Sequence, residues 1–324
     1  MSATPTFDVT SIGESMLRLS VPRGERLPGA QQFQSHVGGA ESNVLAALSG
    51  LGRRTAWHSQ LPDNALGLAA LRQIRAAGVD TASVTLEQTG GRMGLYFYEP
   101  PTGPLLGEVI YDRAGSSFSR IDSTFVNWNR LLDTRVLHLT GITPALGPRC
   151  RELTVRAIDM ANDAGVLVSL DVNYRRRLWS ASEAAEVLVP LFSKVSLLIC
   201  GVEDARALLG ANGDPITILR RLGEAADGRD VVLTRGAQGA IALVGGKRLT
   251  VPAVEVEPLD ELGGGDAFAA GLLDGWLEGS LEVGLRQGAM LAAAKLTQRG
   301  DMVTLSRKEL TERLSARTTG RILR

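Results

Sequence analysis

One ten-residue segment combines residue types that could bind phosphate and accept a proton. Residues 262–271 read LGGGDAFAAG, so Gly263, Gly264 and Gly265 run directly into Asp266 and an Ala-rich apolar stretch. Glycines let the backbone approach a ligand closely, and the N-terminus of a following helix adds partial positive charge. An Asp at this place could simply cap the helix, but capping alone needs no run of three glycines. The segment therefore predicts a phosphate cradle with a carboxylate on the same turn.

A phosphate cradle beside a carboxylate suits phosphoryl transfer to an alcohol. Positioning and charge neutralisation supply most of the catalysis in such reactions, while an acidic side chain orients the attacking hydroxyl. Asp266 is the candidate for that side chain. Because a helix N-terminus favours the ionised carboxylate, we expect no raised pKa for Asp266 and proton acceptance late in a loose transition state.

Two other nucleotide-binding motifs do not match this sequence. Phe268 stands where the third glycine of a G-x-G-x-x-G dinucleotide fingerprint would fall, which argues against a Rossmann oxidoreductase. Lys247 is followed by Arg248 instead of Ser or Thr, so the chain has no P-loop at that point either. The glycine run therefore belongs to neither of these two motifs.

The composition narrows the classes of partner. The 324 residues carry 35 Lys and Arg against 35 Asp and Glu, for a formal net charge of zero. This balance argues against a nucleic-acid binder or a membrane-surface protein, because both usually carry a basic field. No secretion signal or membrane-spanning run is visible, so we expect a cytoplasmic protein. The two cysteines and three histidines are too scattered for a zinc site or a disulfide framework.

Short apolar runs alternate with helical patterns along the chain. The predicted strands are near-continuous runs of Val, Ile and Leu, as expected of parallel strands covered on both faces. They lie at residues 136–141, 166–174, 196–201 and 230–236. The predicted helices lie at residues 41–52, 65–78, 150–165, 266–279 and 282–298. This alternation predicts an α/β fold with a doubly wound, mainly parallel sheet, helices on both faces, and close packing of the two Ala-rich final helices.

Two segments, residues 15–37 and 91–113, break this alternation. In the second, GRMGLYFYE and GEVIYDR are typical of a β-hairpin joined through the Pro-rich turn PPTGP. Such insertions can form a small sheet over the carboxyl edge of a parallel core, where ligands bind. We therefore expect one domain over residues 1–324 that carries an inserted β lid.

The whole chain resembles the ribokinase-like, PfkB-type carbohydrate kinases. The resemblance rests on VGGAESNVLAALSGLG at residues 37–52 and DELGGGDAFAAG at residues 260–271, which correspond to the two signatures of that family. Within the family, the segments LYFYEPP, VIYDRAGSS, HLTGITPAL and SLDVNYRRRLW resemble 2-keto-3-deoxygluconate kinases. The resemblance implies a ribokinase-like fold and ATP-dependent phosphorylation of a terminal hydroxyl of 2-keto-3-deoxygluconate or a related sugar acid.

The resemblance also assigns substrate-binding roles. Gly38, Gly39 and Asn43 match the substrate-binding glycine pair and asparagine of the first signature. The other implied substrate contacts are Tyr96, Tyr111, Arg113, Ile142, Arg175 and Asp301. Guanidinium groups are favoured partners of a planar carboxylate, which agrees with a sugar acid and not with a neutral sugar. For Arg176 and Arg177 we expect solvated surface charges.

On the nucleotide side, TRGAQGA at residues 234–240 matches the strand and glycine turn around the ATP phosphates. The resemblance thus implies nucleotide contacts at Thr234, Gly236 and Gly239. Gly263, Gly264 and Gly265 match the anion hole, where Gly263 and Gly265 also contact ATP, and Asp266 takes the position of the catalytic base.

The metal site is implied by a third motif. The Asn-x-x-Glu motif of the family, which organises Mg²⁺ and phosphate, is replaced here by GVED at residues 201–204. Glu203 and Asp204 are therefore the predicted metal-binding residues, and ATP and Mg²⁺ the predicted cofactors.

Several alternatives stay open on the sequence alone. A fructokinase or another neutral-sugar kinase would share the fold, although it would give the arginines no anion to bind. The altered GVED and DEL segments also allow a catalytically weak sugar-binding homologue. Gluconate- and galactonate-derived acids are not distinguished. The edges of a small lid sheet need covering, which predicts a homo-oligomer formed through the lid.

Overall fold

A nine-stranded sheet runs through the protein in a computed structural model that describes residues 4–319. The strands of this sheet and of a second, smaller sheet are, in chain order, β1 (Phe7–Ile12), β2 (Met16–Ser20), β3 (Gln34–Gly38), β4 (Thr55–Pro62), β5 (Val84–Glu87), β6 (Leu95–Glu99), β7 (Glu108–Asp112), β8 (Thr134–Thr140), β9 (Leu167–Asp171), β10 (Leu197–Gly201), β11 (Asp230–Thr234), β12 (Ala240–Val244) and β13 (Lys247–Val251). The large sheet has the order β13-β12-β11-β10-β9-β8-β1-β4-β5. From β11 to β5 its neighbouring strands are parallel, and β12 and β13 add an antiparallel edge.

Helices cover both faces of this sheet. They are α1 (Ala40–Gly50), α2 (Ala65–Ala76), α3 (Trp128–Leu131), α4 (Ile142–Ala145), α5 (Pro148–Asp163), α6 (Ala181–Leu188), α7 (Val202–Leu209), α8 (Pro215–Ala225), α9 (Gly264–Leu277), α10 (Leu281–Leu296) and α11 (Arg307–Thr319). Alternate residues of the central strands enter two separate apolar cores; in β10, for example, Ile199 joins one core and Leu198 the other. The predicted doubly wound, mainly parallel sheet is confirmed.

Most predicted elements are present with small shifts of their ends. The largest difference is at β9, which ends at Asp171 although the apolar run predicts a strand to residue 174. The amide of Val172 donates to the carbonyl of Ile199, and Asn173 has a positive φ of 39°, so the chain turns out of the sheet there. Asp171 therefore lies at the carboxyl edge of the sheet, where ligands bind in folds of this kind.

A second, four-stranded sheet has the order β3-β2-β6-β7. The predicted hairpin is present as β6 and β7, which pair antiparallel with Tyr96 opposite Tyr111. Strands β2 and β6 are parallel, so the small sheet is mixed. All four strands come from the two inserted segments, apart from Gly38 at the end of β3.

Close backbone contacts join α9 and α10. A Cβ at Gly271 would overlap the amide of Gly288, and a Cβ at Gly275 would overlap that of Gly284. Glycines at these positions let the two helices approach more closely than any other residue allows. The predicted close packing of the two Ala-rich helices is thus present. Among residues 4–319, no helix combines the length and the apolar composition that a membrane crossing requires.

Candidate active site

The glycine run forms the start of α9. Gly263 precedes the helix with φ near 80°, and a Cβ there would overlap the carbonyl of Asp301, so this position requires glycine. Gly264 and Gly265 are the first two helical residues, which places Asp266 in the first turn. The free amides of this turn point out of the helix end, as an anion-binding site needs.

Asn43 fixes the orientation of Asp266. Its Nδ2 donates a 2.7 Å hydrogen bond to Asp266 Oδ2, and both side chains are buried. Asn43 lies in the first turn of α1, which packs against α9. The two family signatures, more than two hundred residues apart, therefore meet at one carboxylate.

The ionisation of Asp266 differs from our expectation. Burial raises the pKa of Asp266 to about 6, and the nearby carboxylate of Asp301 adds to this effect. The hydrogen bond from Asn43 and the charge of Arg175 act in the opposite direction. The prediction that the helix N-terminus would prevent a raised pKa was wrong, because the loss of water around a buried carboxylate outweighs the partial charge of the helix end. Asp266 is still mainly ionised at neutral pH.

The predicted substrate glycines lie against two other predicted residues. A Cβ at Gly38 would overlap Tyr96 Oη and Asp301 Oδ2, and a Cβ at Gly39 would overlap the carbonyl of Glu14. The Tyr96 hydroxyl donates to Asp301 Oδ2. Burial and the charge of Asp301 raise the pKa of Tyr96, which therefore remains a protonated donor. The structure thus brings the lid, the start of α1 and the segment after α10 together at one place.

Asp301 belongs to a buried cluster of charged side chains. Arg18 of β2 contacts Asp301 Oδ1 and Asp260 Oδ2, each at 2.8 Å, and its guanidinium lies 4.3 Å from the centre of the Tyr98 ring. Arg18 is 2% exposed. Sequence analysis missed Arg18, although an Arg inside an apolar lid strand is an unusual residue to bury without a function.

Arg113 has a partner already. Its guanidinium is buried and binds Glu14 Oε2 through both Nε and Nη2, and it lies 5.8 Å from the centre of the Tyr111 ring. Tyr111 in turn packs beside Tyr96, with ring centres 5.9 Å apart. Glu14 therefore offsets the positive charge of Arg113, which we expected to bind the carboxylate of a sugar acid.

Arg175 differs from Arg18 and Arg113, because no acidic side chain among residues 4–319 forms an ion pair with it. It lies in the loop after β9, is exposed, and its guanidinium has no hydrogen bond or ion pair with the described residues 4–319. Its charge lowers the pKa of Asp266, Asp171 and Asp204, so the guanidinium is close enough to act on all three carboxylates. The neighbouring Arg177 is exposed, as expected, and it also donates to the carbonyl of Val109 in lid strand β7.

Two half-buried carboxylates lie beside Arg175. Burial, together with the charges of Asp266 and Asp204, raises the pKa of Asp171 to about 8. Asp204 Oδ2 accepts a 3.2 Å hydrogen bond from the amide of Tyr174, and burial raises its pKa as well. Glu203 is not brought to this group, since its exposed side chain pairs with Arg206 at 2.5 Å. Asp171 was missed by sequence analysis, although an acidic residue directly after a buried parallel strand was a signal for it.

The predicted nucleotide turn follows β11. The Thr234 hydroxyl donates to the carbonyl of Cys200 at 3.4 Å. Gly236 has φ of 56° and begins a single 3₁₀ turn, and Gly239 has φ of 82° with no room for a Cβ beside Val251. These are conformations that favour glycine, so the fold accounts for both glycines of the turn.

Ile142 lies at the start of α4, beside a buried acid that the sequence did not reveal. Its amide donates to Thr140 Oγ1 at 3.3 Å. Glu41 is 1% exposed and accepts hydrogen bonds from the hydroxyls of Thr140 and Thr143, at 2.7 and 2.8 Å. Burial raises the pKa of Glu41 to about 7.

Comparisons with known proteins agree with this geometry. The chain is 36% identical to the 2-dehydro-3-deoxygalactonokinase of Haloferax volcanii over 306 residues, which cover 94% of this chain and 96% of that protein. The crystal structure of 2-dehydro-3-deoxygluconokinase from Thermotoga maritima matches with a TM-score of 0.89 and 32% identity, over 95% of this chain and 98% of that one. A putative ribokinase II from E. coli, solved in complex with ATP and Mg²⁺, has the same fold, with a TM-score of 0.86 at 19% identity over 96% and 99% of the two chains.

The profile of the pfkB family carbohydrate kinases matches residues 6–308, nearly the whole chain. Both signatures of that family lie inside this range and meet where Asn43 contacts Asp266. The protein therefore belongs to the pfkB family of carbohydrate kinases and is a phosphotransferase.

Proposed function

We propose that this protein is an ATP-dependent kinase that phosphorylates the terminal hydroxyl of a 2-keto-3-deoxy sugar acid of the glucono or galactono series. The observation that carries the proposal is the unpaired Arg175 beside Asp266, the carboxylate held by Asn43 at the start of α9. The carboxylate of Asp266 suits the reacting hydroxyl, and the guanidinium of Arg175 suits a substrate carboxylate. The names of the two relatives above 30% identity support the same substrate class.

Asp266 orients the attacking hydroxyl. With Oδ2 held by Asn43, the carboxylate accepts the proton of the substrate hydroxyl as the oxygen of that hydroxyl bonds to the γ-phosphorus. The bond between the γ-phosphorus and the β–γ bridging oxygen breaks in the same step, and ADP leaves. The amides at the start of α9 stabilise the charge on the transferring phosphoryl group. A pKa near 6 keeps the base ionised at neutral pH, yet makes it a better proton acceptor than an ordinary aspartate.

Asp204 and Asp171 are the side chains of this chain that suit Mg²⁺. Both are half-buried carboxylates with a raised pKa at the carboxyl edge of the sheet, as is expected where a cation would relieve their repulsion. Within residues 4–319, no group of three or more acidic, His or Cys side chains is arranged to enclose a metal. Mg²⁺ characteristically binds through one or two carboxylates, water and substrate phosphates, and it would neutralise charge on the ATP phosphates. Thr234, Gly236 and Gly239 are the proposed contacts on the nucleotide side.

The substrate carboxylate binds Arg175 in this proposal. Arg113 is offset by Glu14, so we assign it the positioning of Tyr111. Tyr96 and Asp301, which close the site opposite Gly38, contact the sugar hydroxyls. Arg175 therefore distinguishes an acid from a neutral ketose.

A panel assay tests the proposal. ADP release would be measured with the two keto-deoxy acids, fructose and ribose, for the wild type, Arg175→Ala and Arg176→Ala. Arg176 lies in the same loop and is also exposed, so it is a matched control. We expect turnover of a sugar acid, and a rise of KM in Arg175→Ala alone of about tenfold to a hundredfold, the value of a charge-assisted hydrogen bond. Turnover of fructose in preference to both acids would show a neutral-sugar kinase, and binding of a sugar without turnover would show a weak binding homologue.

We also propose that two copies associate through their lids. Leu19, Phe97 and Ile110 are opposite one another in β2, β6 and β7, and Phe33 packs edge-on against Phe97 with ring centres 5.8 Å apart. Along β6, Tyr96 and Tyr98 point to the buried side, so this apolar row lies on the outer face of the lid. Phe33 and Ile110 are each more than 40% exposed. A second lid is the partner that such a face fits.

A further inference from the structure

Lys295 is buried although nothing in the proposed reaction uses it. The sequence has four lysines; three are exposed, while Lys295, one residue before the end of α10, is 0% exposed. Lysine is among the residues least often found fully buried, because its ammonium loses water. A leucine or methionine would fill the same space without that loss. The ammonium group therefore has a role that packing does not supply.

The partners of Lys295 are backbone carbonyls. Its Nζ donates to the carbonyl of Gln298 at 3.1 Å and to that of Asp260 at 3.4 Å. The end of α10 adds partial negative charge. The carboxylates of Asp260, Asp301 and, more weakly, Asp266 favour the charged ammonium, and the charge of Arg18 opposes it. Backbone carbonyl oxygens are also the groups with which proteins replace the hydration shell of a monovalent cation such as K⁺.

The two segments that Lys295 joins carry the catalytic parts. Asp260 begins the turn that leads through the glycine run to Asp266, and Gln298 begins the segment that ends at Asp301. Gly263 packs directly on the carbonyl of Asp301, and Asp260 Oδ2 accepts a 3.0 Å hydrogen bond from the amide of Gly300. A change in the distance between the two segments would thus move both the anion-binding amides and the substrate-binding acid.

We propose that the Lys295 ammonium is a built-in monovalent cation, which ties the turn at 260–266 to the segment at 298–301 and positions the anion hole without an ion from solution. Lys295 is in this sense a positioning residue. The inference rests on the proposed phosphoryl transfer for its catalytic consequence, but the tie itself is independent of the substrate.

The first test measures the tie without any substrate. Melting temperatures of the wild type, Lys295→Ala, Lys295→Met and the exposed control Lys308→Ala would be compared in KCl, NH₄Cl and choline chloride of equal ionic strength. We expect Lys295→Ala to melt lower in choline chloride and to recover selectively in K⁺ or NH₄⁺, because the cavity it leaves is lined by carbonyls. The wild type, Lys308→Ala and Lys295→Met, which fills the cavity, should respond equally to all three salts.

The second test measures turnover. We expect wild-type kcat to be the same in the three salts, and kcat of Lys295→Ala in choline chloride to fall by about tenfold or more, part of what the loss of an anion-hole donor costs. K⁺ or NH₄⁺ should restore this loss in Lys295→Ala and not in Lys295→Met.

Three results would overturn the inference. They are strong activation of the wild type by K⁺, a kcat of Lys295→Met equal to that of the wild type, or a melting temperature and kcat of Lys295→Ala that are the same in all three salts. If Lys295→Ala does not fold in any salt, the kcat of Lys295→Met decides. If the wild type phosphorylates no sugar acid, the proposed function fails. The melting temperatures still test whether Lys295 links residues 260–266 to residues 298–301.

Discussion

Asp266 experiences two opposing influences, since the start of α9 favours its charge and burial opposes it. Asn43 adds the hydrogen bond that keeps the pKa from rising further. The balance gives a base that is ionised above about pH 6. If Asp266 is the base, as we propose, the pH dependence of catalysis depends on its neighbours as well as on Asp266 itself.

Replacing Asp266 by Asn should abolish most turnover and leave ATP binding measurable. The substitution keeps the size and polarity of the side chain but removes the proton acceptor, so we expect kcat to fall by about a hundredfold to ten-thousandfold. In the wild type, protonation removes the acceptor, so kcat/KM should fall as the pH decreases through about 6. Steady-state kinetics from pH 5 to 9 and calorimetry with ATP would check both expectations.

Asn43→Ala supplies the control for this assignment. Without the hydrogen bond that lowers the pKa of Asp266, the acidic limb of the kcat/KM profile should move to higher pH. An unmoved limb in Asn43→Ala, or turnover of Asp266→Asn above about a tenth of the wild type, would exclude Asp266 as the base.

At the residue scale, the sequence pointed to the proposed reacting groups more readily than to the groups that hold them. The glycine run and Asp266 are adjacent in sequence, and Asn43 follows from its own signature, so the local pattern was enough. Glu14, Arg18 and Lys295 act through partners up to 283 residues away. A charge of this kind is indistinguishable in sequence from a surface charge until the fold shows that it is buried.

At the scale of elements, the active site depends on how α9 packs on α10. The first turn of α9 carries the amides and Asp266, and the helix is held by the glycine contacts with α10 farther along. Apolar periodicity predicted every end of both helices to within two residues, because their buried faces are long. The end of β9 was missed, since the apolar run continues through Val172, whose amide still bonds to β10, and the chain turns out of the sheet at Asn173.

Gly275→Ala tests this dependence. The added Cβ would overlap the backbone amide of Gly284, which cannot rotate away as a side chain does. We expect a loss of about 1–3 kcal/mol in the free energy of unfolding, the usual effect of overpacking, together with reduced kcat as α9 shifts. Gly29→Ala is the control, because a Cβ at Gly29 meets open space. Chemical denaturation and ADP release would measure the two effects, and a Gly275→Ala protein as stable as Gly29→Ala would refute the packing argument.

At the scale of the whole molecule, one face of the lid sheet packs toward Asp301 and Gly38, and the other face is apolar and partly exposed. Arg177 connects the core to lid strand β7, and Arg18 connects β2 to the loops behind Asp301. The buried side of the lid is therefore well fixed to the core. The sequence predicted β6 and β7 from a hairpin pattern, and residues 15–37 only from a break in the alternation of strands and helices. Which lid residues face outward follows only from the register of β2, β6 and β7.

Ile110→Asp should convert a lid-mediated dimer into a monomer of 34.4 kDa. Ile110 is 43% exposed and lies opposite Phe97 in the outer apolar row. In a symmetric contact each copy would bury one unpaired carboxylate, at a cost of several kcal/mol per charge, roughly enough to shift the dissociation constant by a hundredfold or more. Phe125→Asp, which places the same charge on an exposed aromatic residue outside the lid, should leave the dimer intact. Light scattering during gel filtration would give both masses. A monomeric wild type, or equal dissociation by the two variants, would show that the outer face of the lid is not the site of association.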